Sequence, residues 1–258
     1  MKRFENKVVV VTGASRGIGQ AICTAFAREG ALVAGVARSD LADTGAKVTA
    51  AGGAFLAVKA DLATGTQSEA AGLIAGILAQ TGRIDAIVNN AGIIRRAPAI
   101  DFSEADWNAV LQTNLSSPFF LCQAVGKWWL TGGREKSAAG ARLKIVNIAS
   151  LLSFQGGITV PAYTASKHGI AGVTKALANE WAKERINVNA IAPGSIATDN
   201  TQALRDDPKR NQSILDRIPE SRWGHPDDIA GGCVFLASSD SDYFNGAVIN
   251  IDGGWLGR

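Results

Sequence analysis

Tyr163 and Lys167 stand four residues apart in the run Pro161-Ala162-Tyr163-Thr164-Ala165-Ser166-Lys167, thirteen residues beyond Ser150. On a helix that spacing puts both side chains on one face, with the ammonium leaning back toward the phenol. A free phenol titrates near pH ~10, and a fixed positive charge beside it stabilises the phenolate and lowers that value. Tyr163 can then exchange a proton with a substrate, while Ser150 holds the substrate's carbonyl or hydroxyl oxygen by a hydrogen bond. Proton exchange of this kind accompanies hydride transfer, which requires a redox coenzyme close by.

The turn Thr12-Gly13-Ala14-Ser15-Arg16-Gly17-Ile18-Gly19 offers a place for one. It joins an apolar strand-like run to a helical pattern from Ile18 to Glu29, closed by Gly30. Glycines there let the backbone approach a pyrophosphate, and the unpaired N–H groups of the helix start favour an anion. Gly13, Ser15, Arg16, Gly17, Ile18 and Gly19 are the expected contacts. Coenzyme folds that use NAD usually carry an acid at the end of the second strand to hold the ribose 2′-hydroxyl. Ala37 and Arg38 occupy that place. With no carboxylate to repel a 2′-phosphate, and with Arg38 and Arg16 to bind it, NADP(H) is favoured and NAD(H) stays usable. Asp61-Leu62 and Asn89-Asn90-Ala91-Gly92 follow the next two strand-like runs, so Asp61, Leu62, Asn90, Ala91 and Gly92 extend the coenzyme site. Asp61 can equally act as a cap, and the two amides are suited to cross-linking neighbouring turns.

These loops need strands to carry them. Short apolar runs occur at Val8 to Val11, Leu32 to Ala37, Ala54 to Val58, Ile84 to Val88, Leu143 to Ile148, Val188 to Ile191 and Val248 to Ile251, each read as followed by a longer segment with helical periodicity. The alternation predicts an α/β fold, doubly wound and Rossmann-type, with a mostly parallel seven-stranded sheet covered by helices on both faces. Residues 1–258 read as a single domain, and its ligands belong at the carboxyl ends of the strands. Gly132 to Arg142 reads as an exposed loop, and Trp128 and Trp129 as core or subunit interface.

A net charge of +3 without basic blocks argues against nucleic acid as a partner. Cys23, Cys122 and Cys233 are isolated, and no His, Asp or Glu set has metal spacing, so no metal is expected. Met1 to Lys7 is short and charged, which leaves no room for a signal peptide, and no apolar run is long enough to span a membrane. A reducing cytoplasm is the expected location.

The glycine loop, Asn89 to Gly92, Asn114, Ser150, Tyr163, Lys167, Pro193-Gly194 and Asp252-Gly253-Gly254, in this order and spacing, resemble the short-chain dehydrogenase/reductase family across the whole chain. The resemblance implies that Ser150 positions the reacting oxygen, Tyr163 is the general acid/base, and Lys167 binds the nicotinamide ribose and lowers the pKa of Tyr163. It also implies that Asn114 holds a water in the proton relay, that Pro193, Gly194, Ile196 and Thr198 contact the coenzyme, and that the chain forms a homotetramer. Contacts between subunits are then expected near Trp129, Trp181 and Trp255.

A second set resembles the branch of that family acting on deoxy sugar acids: Ile94-Arg95-Arg96, Asp101 to Trp107, Ser150 through Gln155 to Tyr163, Ala192 to Thr201, and Arg217 to Gly224. That branch is generally regarded as favouring NAD, so Arg16 and Arg38 depart from its pattern. A sugar-acid substrate is the expected partner, with Arg95, Arg96, Ser153 and Gln155 joining Ser150 and Tyr163 around it. Each arginine either pairs with the substrate carboxylate or makes a structural ion pair, and Ser153 and Gln155 either read hydroxyls or form an ordinary polar loop. A reductase of 3-oxoacyl thioesters and a non-catalytic dinucleotide sensor are the alternatives.

Overall fold

Seven β-strands form one parallel sheet, β1 (Val8–Thr12), β2 (Leu32–Ala37), β3 (Ala54–Lys59), β4 (Ala86–Asn89), β5 (Leu143–Ile148), β6 (Ile186–Pro193) and β7 (Val248–Ile251), in the order β3-β2-β1-β4-β5-β6-β7. The computed structural model describes residues 2–258; Met1, the first residue of the charged N-terminal stretch, lies outside them. Strands β1, β4, β5 and β6 are buried along their whole length. That is why β1 and β4 read as near-continuous apolar runs, while the polar residues of β5 and β6 are accepted only with hydrogen-bond partners. The chain reverses its direction of travel across the sheet between β1 and β4, and the loops leaving those two strands diverge there.

Side chains alternate between two helical layers. Val9 and Val11 join Ile22, Cys23 and Phe26 of α1 (Gly17–Arg28) and Cys233 and Val234 of a C-terminal helix, Pro226–Ala237. Val10 and Ile87 pack on the other face against Ile74 and Ile77 of Gln67–Thr81, Leu121 and Cys122 of Ser117–Trp128, and Leu177 of Pro161–Trp181. In chain order the helices after α1 are α2 (Ala42–Ala50), α3 (Gln67–Thr81), α4 (Glu104–Leu111), α5 (Ser117–Trp128), α6 (Pro161–Trp181), α7 (Gln202–Asp206), α8 (Pro208–Leu215) and α9 (Pro226–Ala237). The three thiols are free and buried. Burial pushes Cys23 and Cys122 up to about 12, and Cys233 upward as well.

The strand expectations hold, with adjusted ends. β4 begins at Ala86 rather than Ile84, and β6 is longer than its apolar centre. Asn187 and Asn189 look polar in sequence but lie buried in β6, their amides donating to the carbonyls of Asp242 and Phe244. Between α4 and α5 the helix does not break. It widens into a π turn, Gln112–Ser116, where the Ser117 N–H reaches back five residues to the Gln112 carbonyl. The expected loop at Gly132 is also wound at its start. The helix kinks at Thr131 and Gly132, where Gly132 has φ +122°; a 3-10 turn, Arg134–Lys136, then precedes the exposed segment, and Gly133 is buried against Trp128. Trp129 is a core residue whose indole N–H donates to the Glu184 carbonyl.

Candidate active site

β5 ends beside the start of α6, and the chain between them carries Ser150. Its backbone is extended, and its Oγ accepts from the Leu152 N–H at 3.2 Å to start a 3-10 turn, Leu151–Ser153. Pro161, pre-set for the first helical position, opens α6 two residues before Tyr163. Lys167 lies one turn further along, its Nζ 5.5 Å from the Tyr163 ring centroid and 2.6 Å from the Ile148 carbonyl, to which it donates. No carboxylate pairs with this ammonium in the described residues, and Lys167 is 4% exposed. Burial therefore lowers it from 10.5 to about 8.

Tyr163 behaves differently from the expectation drawn from charge alone. Tyr163 is half-buried, and the desolvation of its phenol raises it above the ordinary value, while neighbouring Ser150 and the positive charge of Arg96 pull the other way. Desolvation wins because the Lys167 ammonium points to the Ile148 carbonyl rather than to the phenol oxygen. At neutral pH the Tyr163 phenol keeps its proton beside Ser150.

The π turn decides where Asn114 points. Its Nδ2 donates to the Ile93 carbonyl at 2.9 Å and to Ser166 Oγ at 3.2 Å, and its Oδ1 accepts from the Ile93 N–H at 2.9 Å. Ser166 in turn donates to the Tyr163 carbonyl at 2.7 Å. The buried Asn114 amide thus ties the loop after β4 to the helix carrying Tyr163, which makes it a positioning group. Ser153, expected near the substrate, is buried and donates to the Lys167 carbonyl at 2.6 Å, a bond that ties the turn after β5 to α6.

The expected coenzyme residues gather at the switch point. Gly13 has φ +65°, and a Cβ there would lie 2.8 Å from the Ala91 Cα. A Cβ on Gly19 would overlap the Gly13 carbonyl. The Asn90 amide donates to the Thr12 and Gly13 carbonyls, and the N–H groups of Asn90 and Ala91 both donate to Thr12 Oγ1 at 3.0 Å. Thr12 is thus the staple between the two loops, a role that only its place at a strand end signals in sequence. Asn90 shapes the glycine loop through its side chain, and Gly92 leaves room for Asn114 Oδ1. Ser39 Oγ donates to Ser15 Oγ at 2.9 Å, between Arg16 and Arg38. Asp61 caps its own turn by accepting from the Ala63 N–H and lies 3.9 Å from Arg38, while the Leu62 carbonyl accepts from Ser117 Oγ. At the far end, Pro193 closes β6, Gly194 passes so near Asp252 that a Cβ would meet its Cα at 2.6 Å, Ile196 is buried, and the Thr198 N–H donates to Thr201 Oγ1. Two close backbone crossings that exclude side chains, flanked by two arginines, fit a phosphorylated dinucleotide.

The two adjacent arginines separate. Arg95 pairs with Asp106 at 3.2 Å on α4. Arg96 is exposed, rests on the Asn200 carbonyl at 3.5 Å, and is the arginine whose charge reaches the Tyr163 phenol. Gln155 is held by the Trp255 indole N–H at 3.3 Å, with Arg217 stacked 4.1 Å from the indole centre. Its amide N–H groups stay available to a ligand, and Trp255 packs within the chain. Trp181 does so too, with its ring against Gly126.

The sequence matches the family described as Enoyl-(Acyl carrier protein) reductase over residues 13–256. It is 52% identical over 255 residues to 2-dehydro-3-deoxy-D-gluconate 5-dehydrogenase of Escherichia coli (strain K12), covering 99% of this chain and 97% of the relative. An Agrobacterium tumefaciens crystal structure with bound NADP, assigned on a provisional basis as 2-deoxy-D-gluconate 3-dehydrogenase, is 50% identical with a TM-score of 0.86 over 98% of both chains. A Burkholderia cenocepacia gluconate 5-dehydrogenase in complex with NADP and tartrate is 32% identical, with a TM-score of 0.91 over 99% of this chain and 97% of that one. With the parallel sheet, the glycine loop and the Ser150, Tyr163 and Lys167 cluster in place, the chain belongs to the short-chain dehydrogenase/reductase family.

Proposed function

We propose that this chain is an NADP(H)-preferring dehydrogenase interconverting a secondary alcohol and a ketone on a deoxy sugar acid of the 2-dehydro-3-deoxy-gluconate or 2-deoxy-gluconate type. The observation that carries it is the gathering of Ser150, Tyr163 and Lys167 at the end of β5, with exposed Arg96 on the loop after β4 resting on the Asn200 carbonyl. Full-length identity to sugar-acid dehydrogenases, and NADP in two related structures, support it. Gly13, Ser15, Arg16, Gly17, Ile18, Gly19 and Arg38 would hold the adenosine and phosphate end, and Asn90, Ala91, Gly92, Lys167, Pro193, Gly194, Ile196 and Thr198 the remainder. The bound coenzyme supplies or accepts the hydride. Ser150 donates to the substrate oxygen and fixes it against Tyr163, which gives its proton to a ketone oxygen or takes one from a hydroxyl. Lys167 holds α6 to the end of β5, and Asn114 holds the facing loop, so the donor distance does not relax. Arg96 pairs with the carboxylate and sets which carbon lies at the nicotinamide.

Residues 1–258 act as one catalytic unit. Three unpaired thiols support a reducing cytoplasm. Assembly as a homotetramer rests on the family resemblance and on exposed Tyr243 and Phe244. The enoyl reductase description of the matched family favours a second reading, reduction of acyl thioesters. A spectrophotometric panel of sugar acids, neutral polyols and acyl thioesters, each with NAD(H) and NADP(H), separates the two: turnover of thioesters without sugar acids would overturn the proposal.

A further inference from the structure

Two arginines from different loops end on one short turn. The 3-10 turn Asp199–Thr201 follows Thr198, whose methyl lies 3.5 Å from where a Cβ on Gly17 would sit. Arg16, from the glycine loop, crosses that narrow gap to pair with Asp199 at 3.2 Å, and Arg96 rests on the carbonyl of the next residue, Asn200. Arg38 faces Asp61 at 3.9 Å in the same manner. Each guanidinium suited to a coenzyme phosphate therefore already has a carboxylate. The Arg16 pair is the closer of the two, and unlike the Asp61 carboxylate, which accepts from the Ala63 N–H of its own turn, the Asp199 carboxylate has Arg16 as its partner while the Asp199 backbone carbonyl takes the Gln202 N–H.

On the reading that this groove binds NADP(H), we propose that Asp199 is a positioning residue for coenzyme choice. Its carboxylate holds Arg16 in the ligand-free chain and competes with the 2′-phosphate for the same planar donors. NADP(H) must displace it, whereas NAD(H), which has no 2′-phosphate, leaves the pair intact. Asp199 thus moderates the NADP preference that Ala37, Arg16 and Arg38 establish. Both partners are largely exposed, with side chains 74% and 71% accessible, so the competition is weak and salt-sensitive.

The test is a titration of wild type, Asp199→Asn, Arg16→Gln and the double variant with NADPH and NADH, followed by nicotinamide fluorescence at low and high salt. Asp199→Asn should tighten NADPH by about two- to fivefold, the equivalent of one exposed ion pair, and leave NADH unchanged. The gain should shrink at high salt and vanish in the Arg16→Gln background. An equal change for both coenzymes, no change, or weaker NADPH binding overturns the proposal. Wild type that binds neither coenzyme removes the functional reading and this inference together, whereas normal binding without the Asp199 effect rejects only the inference.

Discussion

Lys167→Met tests the buried ammonium by its effect on stability, independently of turnover. Lys167 falls from 10.5 to about 8 on folding, so between those values the unfolded chain binds more protons than the folded one. Stability must then rise with pH across that interval. Each pKa unit is worth 1.36 kcal/mol, so the charged lysine costs the fold about 3 kcal/mol below pH ~8, and about 2 kcal/mol of that is recovered between pH ~7 and ~9.5. Methionine fills similar space, carries no charge and has no such pH dependence. Urea unfolding of both proteins without coenzyme, at several pH values, isolates the effect. The other buried ammonium, Lys144, which desolvation also lowers and Asp242 partly restores, is common to both and cancels. The stability of Lys167→Met minus that of wild type should decline by about 2 kcal/mol as pH rises from ~7 to ~9.5. A constant offset would refute the claim that Lys167 is buried charged without a counterion. Activity should be lost at every pH.

Tyr163→Phe should keep coenzyme affinity while turnover falls ~10²–10⁴-fold, and the wild type's alcohol oxidation should accelerate toward alkaline pH because burial keeps the phenol protonated at neutrality; a folded variant with near-normal rates sinks the proton role. Arg96→Ala should lower kcat/KM for a sugar acid by roughly ten- to a hundredfold, with little effect on a neutral polyol, whereas Arg95→Ala should affect both alike and weakly; the reverse ranking would exchange their roles. Gly19→Ala forces a methyl into the Gly13 carbonyl and should cost about 1–3 kcal/mol of stability together with coenzyme affinity, and unchanged coenzyme binding in that variant would contradict the close crossing.

The strands were legible because a buried parallel sheet demands apolar, β-branched-rich runs, and Val8 to Val11 admits no other placement. Where polar residues are buried the pattern fails. Asn187 and Asn189 hide the true start of β6, since what makes them acceptable is hydrogen bonding to carbonyls more than fifty residues away. The Tyr163 and Lys167 pair was legible because both ride one helix. The partners of Ser153, Arg95 and Arg96 were not, because each is settled by a side chain or backbone atom from another element. The π turn at Asn114 also leaves no mark in the sequence: one residue of extra winding shifts the face on which α5 continues.

The placement of the three thiols gives the molecule a built-in reporter. Cys23 and Cys233 lie in the layer formed by α1 and α9, beneath the coenzyme half, and Cys122 lies in α5 on the opposite side of the sheet. All three are shielded and protonated in the native state, so a thiol reagent can reach them only when a layer opens. Pulse alkylation read by peptide mass would therefore time the opening of each helical layer separately. Because a ligand in the glycine loop bears on α1 first, protection gained at Cys23 and Cys233 ahead of Cys122 would trace how far its grip extends through the sheet.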